Sequence, residues 1–144
     1  MINKKSVIAL LQDKGYSKEA VAGIVGNIAV ETGGTYDYTQ KQYGGEGYGL
    51  FQFDFMKKHY YKWLADKNKT DSASSQIDFF HDTIFGRSQH VIGWANARKM
   101  RSVLKQKDAI AISTGLSTIW FRPSKPHLKR RHQETRASLK EMNG

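Results

Sequence analysis

The chain has 144 residues, of which 39 % are hydrophobic, and its 23 Lys and Arg against 13 Asp and Glu give a formal net charge of +10. This composition argues against disorder, and the length suits one domain over residues 1–144. Cysteine is absent, which excludes disulfides, thiolate metal sites and a cysteine nucleophile. The positive charge predicts a polyanionic partner, namely nucleic acid, an anionic membrane surface or a bacterial envelope.

The N-terminal half begins with two predicted helices. Apolar residues at helical spacing predict the first helix over residues 3–14, where the apolar run is too short for a signal peptide or a membrane span. We therefore expect synthesis in the cytoplasm without a secretion signal. Ser17 is a suitable N-cap for a second helix that runs to about Thr32. Gly23 and Gly26 lower the helix propensity there, which suggests close approach of a neighbouring helix.

The segment 33–53 differs from its surroundings because it holds six glycines and several aromatic residues. Tyr36 to Tyr38 and Lys41 to Tyr43 are predicted as short strands or loop edges. The Gly44-Gly45 pair marks a turn between them. We interpret the segment as a small β-hairpin or an ordered loop that lines a cleft.

Helices resume after this insert, and the periodicity predicts a mostly α (α+β) fold of about six to seven helices. Asp54 is expected to cap the first of them. The last helix carries Leu128, Thr135, Leu139 and Met142 along one stripe, whereas Arg131 belongs to its basic outer faces. The predicted ranges are 54–68, 71–86, 92–106, 108–121 and 126–142.

Glu31 is the strongest candidate for a catalytic residue. It follows the apolar run from Ala20 to Val30 and lies at the predicted end of a buried helix. Loss of water contacts favours the protonated form of a carboxyl group. A carboxylic acid that keeps its proton near neutral pH can protonate a leaving group, as cleavage of a glycosidic bond requires.

The segment from Gly47 to Gln52 has features of a saccharide-binding site. Glycine permits close approach of the backbone to a ligand. Tyr48 offers an aromatic face to a sugar ring, and Gln52 offers both a donor and an acceptor for sugar hydroxyl or N-acetyl groups. We therefore predict that Tyr48, Gly49 and Gln52 bind substrate.

Four motifs in order resemble those of the phage tail lysozymes and, more distantly, those of goose-type lysozymes and lytic transglycosylases. This resemblance spans nearly the whole chain and implies a lysozyme-like fold. It also implies that the chain cleaves the β-1,4 bond between N-acetylmuramic acid and N-acetylglucosamine in peptidoglycan, with Glu31 as general acid and no cofactor. The motifs are Gly26-Asn-Ile-Ala-Val-Glu31, Gly47-Tyr-Gly-Leu-Phe-Gln52, Gln76-Ile-Asp-Phe-Phe80 and Ile119-Trp-Phe-Arg-Pro123.

The sequence offers more than one candidate for the second carboxylate. Glu46 precedes the Gly-Tyr-Gly turn and is predicted to orient a water molecule or stabilise positive charge in the transition state. Asp37 and Asp54 are weaker alternatives, since Asp54 is explained as a helix cap. If no second carboxylate faces Glu31, attack by the sugar's own hydroxyl becomes the mechanism, as in the lytic transglycosylases.

The sequence gives weaker support to other classes of function. The five histidines show no metal-ligand spacing, so no metal is expected. The basic segment 125–136 is either a solvated helix face or a contact with the anionic envelope or outer membrane. A non-catalytic envelope-binding module stays open, whereas a nucleic-acid-binding domain lacks a recognisable signature. We expect a monomer that acts in the periplasm or on the cell wall after release from the host cytoplasm, with a virion-associated lysin as the alternative.

Overall fold

The computed structural model describes residues 4–144, and within this range seven α-helices account for most of the fold. The chain is 64 % helical, which confirms the mostly α prediction. A 3₁₀ turn at Gln89–Val91 and a π-helix at Leu116–Phe121 complete the helical elements. No helix in this range is long and apolar enough to cross a membrane. The helices are α1 Lys4–Asp13, α2 Lys18–Glu31, α3 Lys57–Asp66, α4 Ala73–Phe85, α5 Trp94–Leu104, α6 Ala109–Gly115 and α7 Leu128–Asn143.

Helix α2 is the central element, and its residues from Ala20 to Ala29 are all buried. The predicted N-cap is confirmed, because Ser17 Oγ accepts a hydrogen bond from the Ala20 amide at 3.1 Å. A Cβ atom at Gly26 would lie 2.8 Å from the Thr135 amide nitrogen of α7. A Cβ atom at Gly23 would lie 2.9 Å from Ile112 Cγ2 of α6. The two glycines therefore do permit the close helix packing that the sequence suggested.

The glycine-rich insert between α2 and α3 is an ordered loop rather than a hairpin of regular strands. Two isolated antiparallel bridges, Lys41 with Tyr48 and Tyr48 with Phe53, are its β-structure. The end of the insert is anchored in an aromatic core. Phe51 stacks on Phe80 of α4 with 4.7 Å between ring centroids, and Phe80 lies 5.0 Å from Trp120 of the π-helix. These contacts fix the insert against α4 and the π-helix.

Three predicted helix details were wrong. Helix α3 begins at Lys57 after Met56, so Asp54 is not its cap. The predicted helix 108–121 changes to the wider π-helix at Leu116. In α7 the buried positions include Arg131, which is 1 % exposed and belongs to the inner face rather than to the basic outer faces. Its three side-chain hydrogen bonds offset the loss of water contacts that burial costs the guanidinium.

Candidate active site

Glu31 is the last residue of α2, and its side chain is 17 % exposed. Thr32 closes the helix, because both its amide and its hydroxyl donate to the Ile28 carbonyl, at 2.9 and 2.8 Å. The same hydroxyl accepts a hydrogen bond from the Tyr36 amide at 3.1 Å, which turns the chain into the insert. The Glu31 carboxyl is thereby held at the point where the helix meets the glycine-rich loop.

Glu31 lines an open cavity of about 840 Å³. Four segments supply its walls: the end of α2, the end of the insert, the π-helix, and the loop 122–127 with the first turn of α7 that follows it. Apolar and aromatic side chains alternate with charged ones, as is usual in ligand-binding clefts. The lining residues are Val30, Glu31, Gln42, Phe51, Gln52, Phe53, Asp54, Phe55, Met56, Trp120, Phe121, Arg122, Pro123, Ser124, Lys125, His127 and Arg131.

Arg131 of α7 forms an ion pair with Glu31, with 2.7 Å between Nη2 and Oε2. The other guanidinium nitrogens donate to Asn27 Oδ1 at 2.8 Å and to the Pro126 carbonyl at 2.7 Å. Arginine is suited to such a task because its donors form a rigid, planar fork. The Glu31 carboxyl therefore has a charged partner, which differs from the apolar surroundings that the sequence indicated. Oε1 accepts no hydrogen bond from any residue between 4 and 144.

Gln52 is the predicted substrate-binding residue that does line the cavity. Its Nε2 donates to the carbonyls of Gln40 and Gly49, at 3.1 and 2.8 Å. Its backbone is left-handed, with φ at 49°. These two bonds fix the side chain, and Oε1 is the atom that stays available to accept a hydrogen bond from a ligand.

Tyr48 and Gly49 do not line the cavity. The Tyr48 hydroxyl donates to Asp71 instead, and burial, together with that hydrogen bond, raises the pKa of Tyr48 above its ordinary value. Gly49 has φ at +84°, and a Cβ atom there would lie 2.5 Å from Gln76 Oε1. Both residues serve the shape of the insert in this structure, and direct substrate binding by them stays a prediction.

Gln76 of α4 connects the insert to the helical core. It is fully buried; its Oε1 accepts from the Leu50 amide at 2.9 Å, and its Nε2 donates to the Tyr38 carbonyl at 2.9 Å. The same Nε2 donates to Asp71 Oδ1 at 3.1 Å. Asp71 also accepts from the Tyr60 hydroxyl at 2.5 Å. One amide and one carboxylate thus hold both sides of the glycine-rich loop.

Glu46 lies outside the cavity. Its side chain is 78 % exposed and forms an ion pair with Lys57 at 3.3 Å. Asp54 is the acidic residue that lines the cavity with Glu31, and it is exposed. The role of Glu46 as second carboxylate stays a prediction.

Several cavity residues were not predicted as site residues from the sequence. Arg131 looked like one charge among many in a basic helix, and Asp54 was a weaker alternative for the second carboxylate because it looked like a helix cap. Backbone conformation marks the site better: of the five non-glycine residues with positive φ among residues 4–144, Gln52, Arg122 and His127 line this cavity. Such conformations are costly and concentrate at functional sites. No group of three or more His, Asp or Glu side chains in that range is placed to hold a metal ion.

Comparison with known proteins identifies the family of this chain. A family model described as phage tail lysozyme matches residues 2–142 of the chain. No curated protein matches the sequence. The family match spans the helix that ends at Glu31, the glycine-rich insert and the helix that carries Arg131. Because the match covers nearly the whole chain, this protein belongs to the phage tail lysozyme family, which has a lysozyme-like function on peptidoglycan.

Proposed function

We propose that this protein is a muramidase that hydrolyses the β-1,4 bond between N-acetylmuramic acid and N-acetylglucosamine. The observation that carries the proposal is the position of Glu31, a helix-end acid in the wall of an open cavity of about 840 Å³ in a phage tail lysozyme. The cavity volume lies within the usual range for ligand sites, ~300–1,000 Å³.

Glu31 acts as the general acid in this proposal. Arg131 binds Oε2, so that in the protonated acid Oε1 is the oxygen that carries the proton and delivers it to the leaving sugar oxygen. After proton transfer, the guanidinium stabilises the carboxylate that remains. Because Arg131 is fixed by Asn27 and Pro126 as well, the orientation of the acid is set before substrate arrives.

Asp54 supplies the second carboxylate in this proposal. It shares the cavity with Glu31 and is not used as a helix cap. An ionised carboxylate at this place stabilises the developing oxocarbenium charge or orients a water molecule for attack. Its presence favours hydrolysis over the intramolecular attack by a sugar hydroxyl that defines a lytic transglycosylase.

The decisive experiment compares Glu31→Gln with the unchanged protein on purified sacculi. The amide keeps the size of the side chain but cannot donate an acidic proton, so we expect the rate of glycan cleavage to fall at least ~100-fold. Circular dichroism and a thermal melt establish that the variant is folded. Undiminished cleavage by a folded Glu31→Gln protein eliminates the proposal.

The products identify the reaction. Mass spectrometry of the released fragments distinguishes a reducing N-acetylmuramic acid end, which hydrolysis gives, from a 1,6-anhydro end, which a lytic transglycosylase gives. Binding to sacculi without any released fragment identifies an envelope-binding module instead. Detection of the protein in purified phage particles distinguishes a virion-associated lysin from a free endolysin.

A further inference from the structure

The loop 122–127 carries unpaired positive charge at the edge of the cavity. Arg122 and Lys125 both line the cavity and both are exposed. Neither takes part in an ion pair within the described part of the chain. We call these two side chains the cationic rim. Their charges are available to a ligand, whereas Arg131 is already bound to Glu31.

The surrounding sequence reinforces this charge. Residues 109–133 contain five Lys or Arg and no Asp or Glu. Lys129 and Arg130 extend the exposed positive surface beyond the rim into α7. Acidic residues of the cavity, Glu31 and Asp54, come from α2 and from the insert instead. Negative and positive charges are therefore supplied by different segments. The acids come from α2 and the insert, and the cations come from the loop 122–127 and α7.

The rim is held in place by its loop. The Arg122 amide donates to the Ser117 carbonyl at 2.8 Å, and Arg131 Nε binds the Pro126 carbonyl at 2.7 Å. Pro123 and Pro126 restrict the backbone further, because the proline ring fixes φ. A segment tied at both ends loses little conformational entropy when it binds a ligand. The backbone that carries the two cations therefore keeps a constant place relative to Glu31.

We propose that the cationic rim binds the carboxylates of the stem peptides that peptidoglycan carries on N-acetylmuramic acid. This inference rests on the proposed muramidase function. In this inference, a glycan strand beside Glu31 directs its peptide toward the solvent edge of the cavity, where the rim is exposed. Arginine and lysine form charge-assisted hydrogen bonds with carboxylates, and the pair thus selects peptide-bearing glycan over bare glycan.

The test measures the preference for peptide-bearing substrate. Initial cleavage rates are determined on Gram-negative sacculi, which carry peptides and lack wall phosphate polymers, and on the same glycan after an amidase has removed the peptides. The amidase leaves one lactyl carboxylate on each N-acetylmuramic acid, so the ratio of the two rates reports on the carboxylates of the peptide itself. The proteins are the unchanged chain and the double variant Arg122→Gln with Lys125→Gln. The matched control is Arg98→Gln with Lys99→Gln, which removes the same two charges from exposed positions of α5 outside the cavity.

We expect the ratio of kcat/KM on sacculi to kcat/KM on bare glycan to fall about fivefold in the rim variant, the scale of two exposed ion pairs. The control variant keeps the ratio of the unchanged protein. The preference of the unchanged protein also weakens at about 0.5 M salt, because salt screens exposed charges. An unchanged ratio in the rim variant, or an equal fall in the control, overturns the inference.

The experiment separates this inference from the proposed function. If the unchanged protein cleaves neither substrate, the muramidase proposal fails. If it cleaves both and the rim variant keeps the same ratio, the muramidase proposal stands and the peptide contact does not. Sacculi that retain phosphate polymers form a third substrate. A rim effect that appears on these alone assigns the cations to phosphate and overturns the peptide assignment.

Discussion

Arg131 joins three separate parts of the site through one guanidinium. It binds the catalytic candidate Glu31, the buried amide of Asn27 in the preceding turn of α2, and the Pro126 carbonyl in the loop 122–127. A buried charge of this kind is costly to bring out of water, and its contacts must be complete to offset that cost. Its removal therefore affects both folding and the orientation of the acid.

We expect Arg131→Met to lower the free energy of unfolding by about 3–5 kcal/mol, because the change leaves buried polar partners without their cation. Arg131→Lys keeps the charge but cannot reproduce the planar fork, so it recovers part of the stability and a smaller part of the activity. Urea denaturation and cleavage rates measure the two effects. Full activity in Arg131→Lys would show that charge alone, rather than orientation, is what Glu31 needs.

The two candidates for the second carboxylate make opposite predictions. Asp54→Asn should lower kcat at least ~10-fold, since it removes an ionised group from the cavity that holds the acid. Glu46→Gln should leave kcat within about twofold, because Glu46 is exposed and paired with Lys57 outside the cavity. Each is measured on sacculi at saturating substrate. A large loss in Glu46→Gln would restore the prediction made from the sequence.

The sequence pattern indicated some of the residues that line the cavity and missed others. Glu31 was singled out because an acid directly after a long apolar run is unusual, and Gln52 because it follows a glycine-framed aromatic segment; both line the cavity. Asp54 was a weaker alternative, because it was explained as a helix cap. Arg131 was missed, since its role depends on a contact with Glu31, which lies 100 positions away in the chain. Local patterns carry no information on which of several arginines in a basic helix faces inward.

Helices α2 and α7 meet at Gly26, and their separation sets the distance from Arg131 to Glu31. A Cβ atom at Gly26 would lie 2.9 Å from Thr135 Cα as well as close to the Thr135 amide. These are backbone atoms, so the helices themselves must move to accept a methyl group. The packing of two elements and the geometry of the acid are therefore coupled through one glycine.

We expect Gly26→Ala to lower the free energy of unfolding by about 1–3 kcal/mol despite the better helix propensity of alanine, because overpacking outweighs that gain. Activity should fall further than the loss of folded protein explains. Gly45→Ala is the control for stability, since the three nearest atoms to a Cβ atom there belong to the flexible side chain of Gln42. Thermal melts and cleavage rates are the measurements. A Gly26→Ala protein as stable as the unchanged chain contradicts this account.

Elements were predicted better than their ends. Helical periodicity sufficed to predict α2 and α4, and the Ser17 hydroxyl accepts the amide bond expected of the predicted cap of α2. The start of α3 was missed because Asp54 is a good cap by type but lies too early. The insert was predicted as a hairpin or loop, and the structure has a loop whose form depends on Gln76 in a later helix.

At the scale of the whole molecule, packing of charged and titratable groups makes stability depend on pH. His81 contacts Tyr16, whose hydroxyl lies 2.7 Å from Nδ1. Burial and the charge of Lys14 lower the pKa of His81 below its ordinary value of 6.5, although Asp82 and Asp78 act in the opposite direction. The folded chain therefore keeps His81 neutral at a pH where the unfolded chain takes up a proton.

Below the ordinary histidine pKa the unfolded chain binds more protons at this position than the folded one, so stability falls as the pH falls. We expect the midpoint of urea denaturation to decrease between about pH 7 and pH 5, and His81→Gln to flatten that decrease. Denaturation curves at several pH values measure both slopes. An identical pH dependence in His81→Gln would assign the effect to other groups.

The π-helix at Leu116–Phe121 limits where this chain can accept insertions and deletions. A π-turn holds one residue more than a regular turn, and within it the buried Trp120 and the half-buried Phe121 both line the cavity. Loss of one residue there restores ordinary winding and removes a side chain from this wall of the cavity. By contrast, the exposed stretch from Tyr43 to Glu46 can gain or lose residues without disturbing either wall. Length variation in such enzymes is therefore expected at the tip of the insert and not within this turn.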